Sequence, residues 1–348
     1  MSRVQISLDA IVAEIGGSPD GVGYDVSLTK IYDEIKDARF EEDHSVSLGV
    51  WERELKRADW GLAEKLAFEA LVEKSKDLQI AGWLIEALAV LDGFDGILNG
   101  VQILTKFVEV FWEKGYPKTE DLQSDEEQKF RILEWVYDAI AQASKFVSFA
   151  SGGGEGVNIY QYDYAVELRN TVAKAKTAAS RIMENAQKNG VKTVEDISNI
   201  VSNASASDIS KLRETIEAIS GAIDEFKNML SEASGTQASG VFHGLLGNLK
   251  KIENVMTYNR KAQSGGDKVH IIPPQSGDEF GIDFDSRDAI YDKVDAIAKR
   301  LAVIERHSPS SYILSLVVSW KHKNLLEIMD DLKTGNSESH RLLKSLIS

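Results

Sequence analysis

Between residues 73 and 117 the apolar positions fall into two successive runs at helical spacing. Behind Asp77, Leu78, Ala81, Ile85 and Leu88 recur at helical intervals, and Trp83, Leu84 and Leu91 widen the face. The pattern predicts a largely buried helix with Asp77 as its N-cap. Gly93 stands where a C′ glycine closes such a helix. After Asp95-Gly96, Ile97, Val101, Leu104, Val108 and Phe111 share one stripe, and Gly115 and Pro117 end it. The stretch therefore reads as a helical hairpin with aromatic residues at its closed base. Lys76 and Asp77, the charges near the helix start, read as a cap with a solvated neighbour.

The rest of the chain is organised around that hairpin. Residues 1–23 are weakly patterned and end in Gly16-Gly17-Ser18-Pro19-Asp20-Gly21, which is turn chemistry rather than an element. Leu28, Ile31, Tyr32 and Ile35 predict a helix, and residues 41–47 a polar break. Residues 48–72 are helical in composition, with Trp60, Ala63, Leu66, Ala67 and Leu71 as an inner face. An acidic connector over 120–127 precedes a helix carrying Phe130, Leu133, Val136, Tyr137 and Ile140. Four glycines in 152–156 then mark a boundary and a flexible linker.

From Tyr160 to Met256 the pattern is helix after helix. The first is Ala-rich, reaches about Asn189 and stops at Gly190, and Thr193 with Asp196 has capping-box spacing for the next. Ile209, Leu212, Ile216, Ile219, Ile223, Phe226 and Leu230 then alternate spacings of three and four, a coiled-coil seam. Phe242, Leu245, Leu249, Ile252 and Met256 repeat the alternation. The two stripes can close on each other within one subunit or on another copy, and the short loop between them favours the antiparallel pair in one chain. Residues 259–284, with Gly265-Gly266, Pro273-Pro274 and Gly277, read as a second linker. Beyond it, Ile290, Val294, Ile297, Leu301 and Ile304 form a further heptad stripe, and Tyr312, Ile313, Leu316, Val317 and Trp320 a further helix. The fold class expected is all-α: multi-domain helical bundles with heptad-patterned helices joined by flexible linkers. The domains expected are 1–150, 157–258 and 283–348.

Charge and composition narrow the chemistry. Forty basic against fifty-five acidic residues leave a net charge of −15, against the footprint of a nucleic-acid binder. No apolar run approaches the roughly 20 residues a bilayer requires, and the start has no basic-then-apolar leader, so a cytoplasmic chain without membrane insertion is expected. There are no cysteines, which removes disulfides, thiol nucleophiles and thiolate metal sites. The six histidines never pair at i, i+3 or i, i+4, so no zinc-type spacing exists. The glycine run continues into Val157-Asn158-Ile159 instead of the Lys and Ser/Thr of a phosphate loop. Asp283-Phe284-Asp285 begins like a calcium loop, but Arg287, Asp288 and Val294 occupy positions that need a ligand, a glycine and a glutamate. No catalytic residues, cofactor or metal ligands are expected. The alternatives to a structural protein are a helical adaptor and an all-α enzyme with a carboxylate site, for which Asp330-Asp331 is the nearest hint.

Two blocks resemble a known family. Ser75-Lys76-Asp77-Leu78, then Ala81–Leu84 with Trp83, then Gly93, Gly96 and Gly100, then Phe111-Trp112 and Tyr116-Pro117, are similar to the N-terminal signature of the ImpA/TssA family. Pro19, Gly23, Tyr24 and Asp25 match the family's upstream segment without its cysteine, and Arg131 matches a family arginine. Ser286-Arg287-Asp288-Ala289, Glu305-Arg306-His307-Ser308-Pro309 and Tyr312–Trp320 resemble the family's C-terminal domain, with Arg306 in place of a proline.

The resemblance implies a non-catalytic assembly component of a bacterial type VI secretion system. On that basis 1–150 is an ImpA-type domain, 157–258 a middle domain and 283–348 an oligomerisation domain. The protein would form a homo-oligomeric ring, linking or priming baseplate, tube, spike and sheath subunits. It would be cytoplasmic and recruited to the inner-membrane-attached complex. The motif residues Lys76, Asp77, Leu78, Trp83, Trp112, Tyr116 and Pro117 would be structural. The oligomerisation candidates are Ile290, Val294, Ile297, Leu301, Ile304, Tyr312 and Trp320.

Overall fold

The computed structural model describes residues 5–18, 20–42, 55–118, 122–175, 178–235, 240–264, 291, 294–295, 297–299 and 309–321. The chain divides into two compact units, Met1–Pro273 and Pro274–Ser348.

In the first unit the helices are α1 (Leu8–Val12), α2 (Lys30–Ala38), α3 (Trp60–Glu73), α4 (Leu78–Phe111) and α5 (Leu122–Phe146). The strands β1 (Ser148–Gly152) and β2 (Glu155–Asn158) follow, then α6 (Ile159–Lys174), α7 (Ala179–Lys188), α8 (Val194–Ser202), α9 (Ala206–Ser234) and α10 (His243–Ser264). The second unit contributes α11 (Pro309–Ser319). The architecture is mostly helical, with one two-stranded sheet among the described residues.

The hairpin expected over 73–117 is α4, whose helical path breaks at Gly93 (φ 61°, ψ −132°). Only glycine takes that conformation without strain. The reversal brings the two arms close enough that a Cβ on Gly100 would stand 2.6 Å from Ile85 Cγ2. Phe107, Phe111, Trp112 and Tyr116 gather at the other end, where Tyr116 meets Lys76 and Leu78 through backbone hydrogen bonds. The aromatic residues thus sit at the open end of the hairpin rather than at its bend.

Several elements differ from the sequence expectation. Residues 8–12 form α1, capped by the Ser7 side chain, where only a weakly patterned lead-in was expected. α3 starts at Trp60, since the Asp59 carboxylate accepts from Leu62 N and fixes the start there; residues 48–54 lie outside the described residues. The acidic connector is largely the first turns of α5. The Ala-rich stretch is two helices, α6, opened by an Asn158–Gln161 capping box, and α7. The Thr193–Asp196 capping box forms as expected. α10 continues to Ser264, into the start of the segment read as a second linker.

The glycine run at 152–156 is the tip of an antiparallel hairpin rather than a flexible linker. Ser148 pairs with Asn158, Ala150 with Val157 and Gly152 with Glu155, and Gly153 and Gly154 (φ 65° and 89°) make the two-residue turn.

The heptad stripes of α9 and α10 are covered within the chain. Ile216, Ile219, Ile223, Phe226 and Leu230 of α9 are buried, and α9 packs chiefly on α4 while α10 packs chiefly on α5. Lys211 faces Asp95 at 4.0 Å and Glu225 acts on Lys106, so α9 runs parallel to the second arm of α4. α9 and α10 meet at their adjoining ends, where Phe226, Phe242 and Tyr137 of α5 form one aromatic cluster with centroids 4.5–6.2 Å apart. Asn248 Nδ2 ties α10 to α5, donating to Ala141 O and Ser144 Oγ at 2.9 Å each.

Candidate functional site at the Lys76–Asp77 junction

Residues 74–78 run between two other segments. Tyr24 N donates to Lys74 O (3.1 Å) and Lys76 N to Val22 O (2.8 Å) on one side. On the other, Tyr116 N donates to Lys76 O and Leu78 N to Tyr116 O, both at 2.9 Å. Tyr116 leads into a cis peptide bond to Pro117.

Lys76 is not a solvated neighbour of the cap: it is fully buried. Its Nζ donates to Ile11 O at 2.6 Å and Leu71 O at 2.7 Å, and lies 5.4 Å from the Phe111 ring centroid. Both carbonyls belong to the last turns of helices, α1 and α3, where intrahelical donors run out. The ammonium therefore closes two helix C-termini at once and sits at the negative end of both dipoles. Burial pulls its pKa down to about 8.

Asp77 caps the next helix, as the sequence indicates. Its Oδ1 accepts from Gln79 N (2.7 Å) and Ile80 N (3.2 Å). Burial raises its pKa to about 6, against the two N–H groups that favour the carboxylate, and the nearby Asp25 adds to the rise. A cation at two helix ends next to an anion at a helix start makes this dipeptide the electrostatic hub of α1, α3 and α4.

Two aromatic groups flank the junction. Trp83 packs on Tyr32 with centroids 4.6 Å apart. The Arg39 guanidinium lies 5.5 Å from the Trp83 ring and 4.9 Å from the Trp135 ring. Arg39 Nε also donates to Glu86 Oε2 at 2.8 Å; burial raises the Glu86 pKa in spite of this partner. Trp112 packs edge-on against Phe130 at 5.3 Å, and its carbonyl accepts from the buried Lys129 Nζ at 2.6 Å.

The structure thus brings Lys76, Asp77, Leu78, Tyr116 and Pro117 together, with Trp83 and Trp112 on adjoining packing surfaces. Arg39, Glu86, Lys129 and the Ile11 carbonyl join them without any local sequence signal: Arg39 and Glu86 are 47 residues apart. Among the oligomerisation candidates, Val294 is half-buried and Ile297 is 49% exposed. Tyr312 lies in α11 and Trp320 just past it. Ile290, Leu301, Ile304 and the Asp330-Asp331 pair fall outside the described residues.

Among the described residues no three His, Asp or Glu side chains converge as a metal site, and no helix is long and apolar enough to cross a membrane. A cleft of about 330 Å³ borders the hairpin, where Glu64 and Asp92 meet Asn99 and Gln102. Both carboxylates have partners of their own.

A mostly helical protein whose Lys76 and Asp77 cap its own helices is the class this geometry defines. Residues 17–138 match the family described as ImpA, N-terminal, type VI secretion system. The type VI secretion system component TssA1 of Pseudomonas aeruginosa is 32% identical over 103 residues, which are 28% of this chain and 29% of that protein. The match therefore spans less than a third of that relative's length. A solved structure superposes with a TM-score of 0.59 and 25% identity, over 74% of this chain and 97% of the other. It is the N-terminal domain including the conserved ImpA_N region of the TssA component of the type VI secretion system from Burkholderia cenocepacia. Over this domain the chain is similar to the ImpA/TssA type VI secretion proteins.

Proposed function

We propose that this chain is a non-catalytic assembly component of a type VI secretion apparatus. In this reading its 1–273 unit recruits other subunits and its 274–348 unit holds copies of the chain together. The observation that carries the proposal is the Lys76–Asp77 junction. The Lys76 and Asp77 charges of the matched domain lie buried in helix capping, where they position helices. Exposed apolar residues in the second unit, Ile297 (49%) and Ile313 (48%), support its role in self-association.

The mechanism is avidity. An oligomer presents several copies of a weak binding face, and linkage turns each later contact into a local, intramolecular event. The baseplate, tube, spike and sheath subunits are the partners this reading names.

Light scattering tests it. The full chain is expected at a mass several times the 38.4 kDa of one copy, and the chain cut after Ser264 at the mass of a monomer. A full chain that stays monomeric at micromolar concentration contradicts the scaffold.

A further inference from the structure

Among the described residues Phe242 is the only non-glycine with a positive φ, at 52°. A Cβ crowds that conformation, and a bulky residue holds it only under strain. Phe242 is nevertheless fully buried, just ahead of α10, with Val241 beside it 3% exposed. Its ring lies 4.5 Å from that of Tyr137 on α5 and 5.8 Å from that of Phe226 on α9. In the same cluster the Tyr137 hydroxyl oxygen is buried and finds no hydrogen-bond partner. A hydroxyl in that state has given up its hydration without a return.

A strained backbone and a dry hydroxyl therefore meet at one spot, and burial of the Phe242 ring opposes both. Withdrawing Phe242 would relax the turn and let water reach Tyr137. Gly240 (φ 72°) leaves room for the movement, since a Cβ there would meet nothing within 4 Å. α10 has its own anchors further on. Asn248 Nδ2 donates to Ala141 O and Ser144 Oγ at 2.9 Å each, and Lys251 Nζ to the Asp163 carboxylate at 2.9 and 3.1 Å. The turn can therefore open without the helix leaving.

We propose that the turn over residues 240–242 is a gate. Phe242 is its plug, and it swings away from Tyr137 and Phe226 while α10 stays on α5. The open form uncovers an apolar pocket with one hydroxyl in its wall. The inference stands on this cluster alone and is independent of the assembly reading above.

The chain has no cysteines, so a single introduced thiol reports opening through its rate of reaction with a maleimide. The experiment labels three variants of the full chain: Val241→Cys on the gate, Leu249→Cys further along α10 and Ile219→Cys on α9, all at buried positions. Val241→Cys is expected to react at least about tenfold faster than the other two, which wait for wider unfolding. Adding Tyr137→Phe should slow Val241→Cys about tenfold, because the closed form then holds no unpaired hydroxyl. Equal rates at the three positions overturn the gate. Leu249→Cys reacting as fast as Val241→Cys overturns it too, since α10 would then depart as a whole. Without any thiol, Tyr137→Phe alone should melt above the parent. A lower melting temperature would mean the hydroxyl is bonded in the closed form, and the gate fails with it.

Discussion

At Lys76 two effects oppose each other. Burial disfavours the ammonium, whereas the carbonyls of Ile11 and Leu71 reward it. The folded pKa of about 8, against an ordinary 10.5, means the folded chain binds fewer protons than the unfolded chain between those pH values. Stability from this group therefore rises as the pH climbs through that window, by up to about 3 kcal/mol. Below pH 8 both states hold the proton and the slope vanishes. Urea unfolding at pH 7.5 and pH 10 should show this gain in the parent and lack it in Lys76→Met. Equal pH profiles would place the ammonium in solvent. Trp83, 4% exposed and clasped by Tyr32 and Arg39, answers a simpler question. Trp83→Ala is expected to lower the unfolding free energy by about 3–5 kcal/mol. Near-neutral stability with a loss of partner binding would instead move the ring to an interface.

At the scale of elements, α9 decides how the middle of the chain is held. Ile219 is fully buried on the face that packs on α4, so Ile219→Asp sets a carboxylate into the core between two regions of sequence. It is expected to cost more than about 4 kcal/mol. Circular dichroism should show the helices of the whole 1–273 unit melting together at lower temperature. A normal melting curve would mean the stripe faces solvent. What could be read in advance about these elements was local: the Asp77 and Thr193–Asp196 caps, the Gly93 reversal and the α9 periodicity all depend on residues a few positions apart. What could not be read depends on distant ones. The covers of α9 and α10, α4 and α5, lie far back in the chain, so the stripes looked made for each other. The burial of Lys76 needs α1 and α3 on top of it, and nothing beside it in sequence announces that. Glycine richness at 152–156 concealed a hairpin whose strands are too short and irregular for alternation to show.

For the whole molecule, the packing of α9 on α4 and of α10 on α5 makes residues 1–273 one compact unit. A fragment ending at residue 150 leaves those faces of α4 and α5 bare. It is expected to bind a hydrophobic dye and to unfold without a sharp transition, whereas residues 1–264 should melt cooperatively. A sharp melt of the shorter fragment would show that the first five helices suffice. The same arrangement sets a timetable for the growing polypeptide. The second arm of α4 is finished at Phe111, but its lid starts only at Ala206. Until the ribosome has delivered that later stretch, a greasy flank of the nascent chain stays open to chaperones and to its neighbours on the same message.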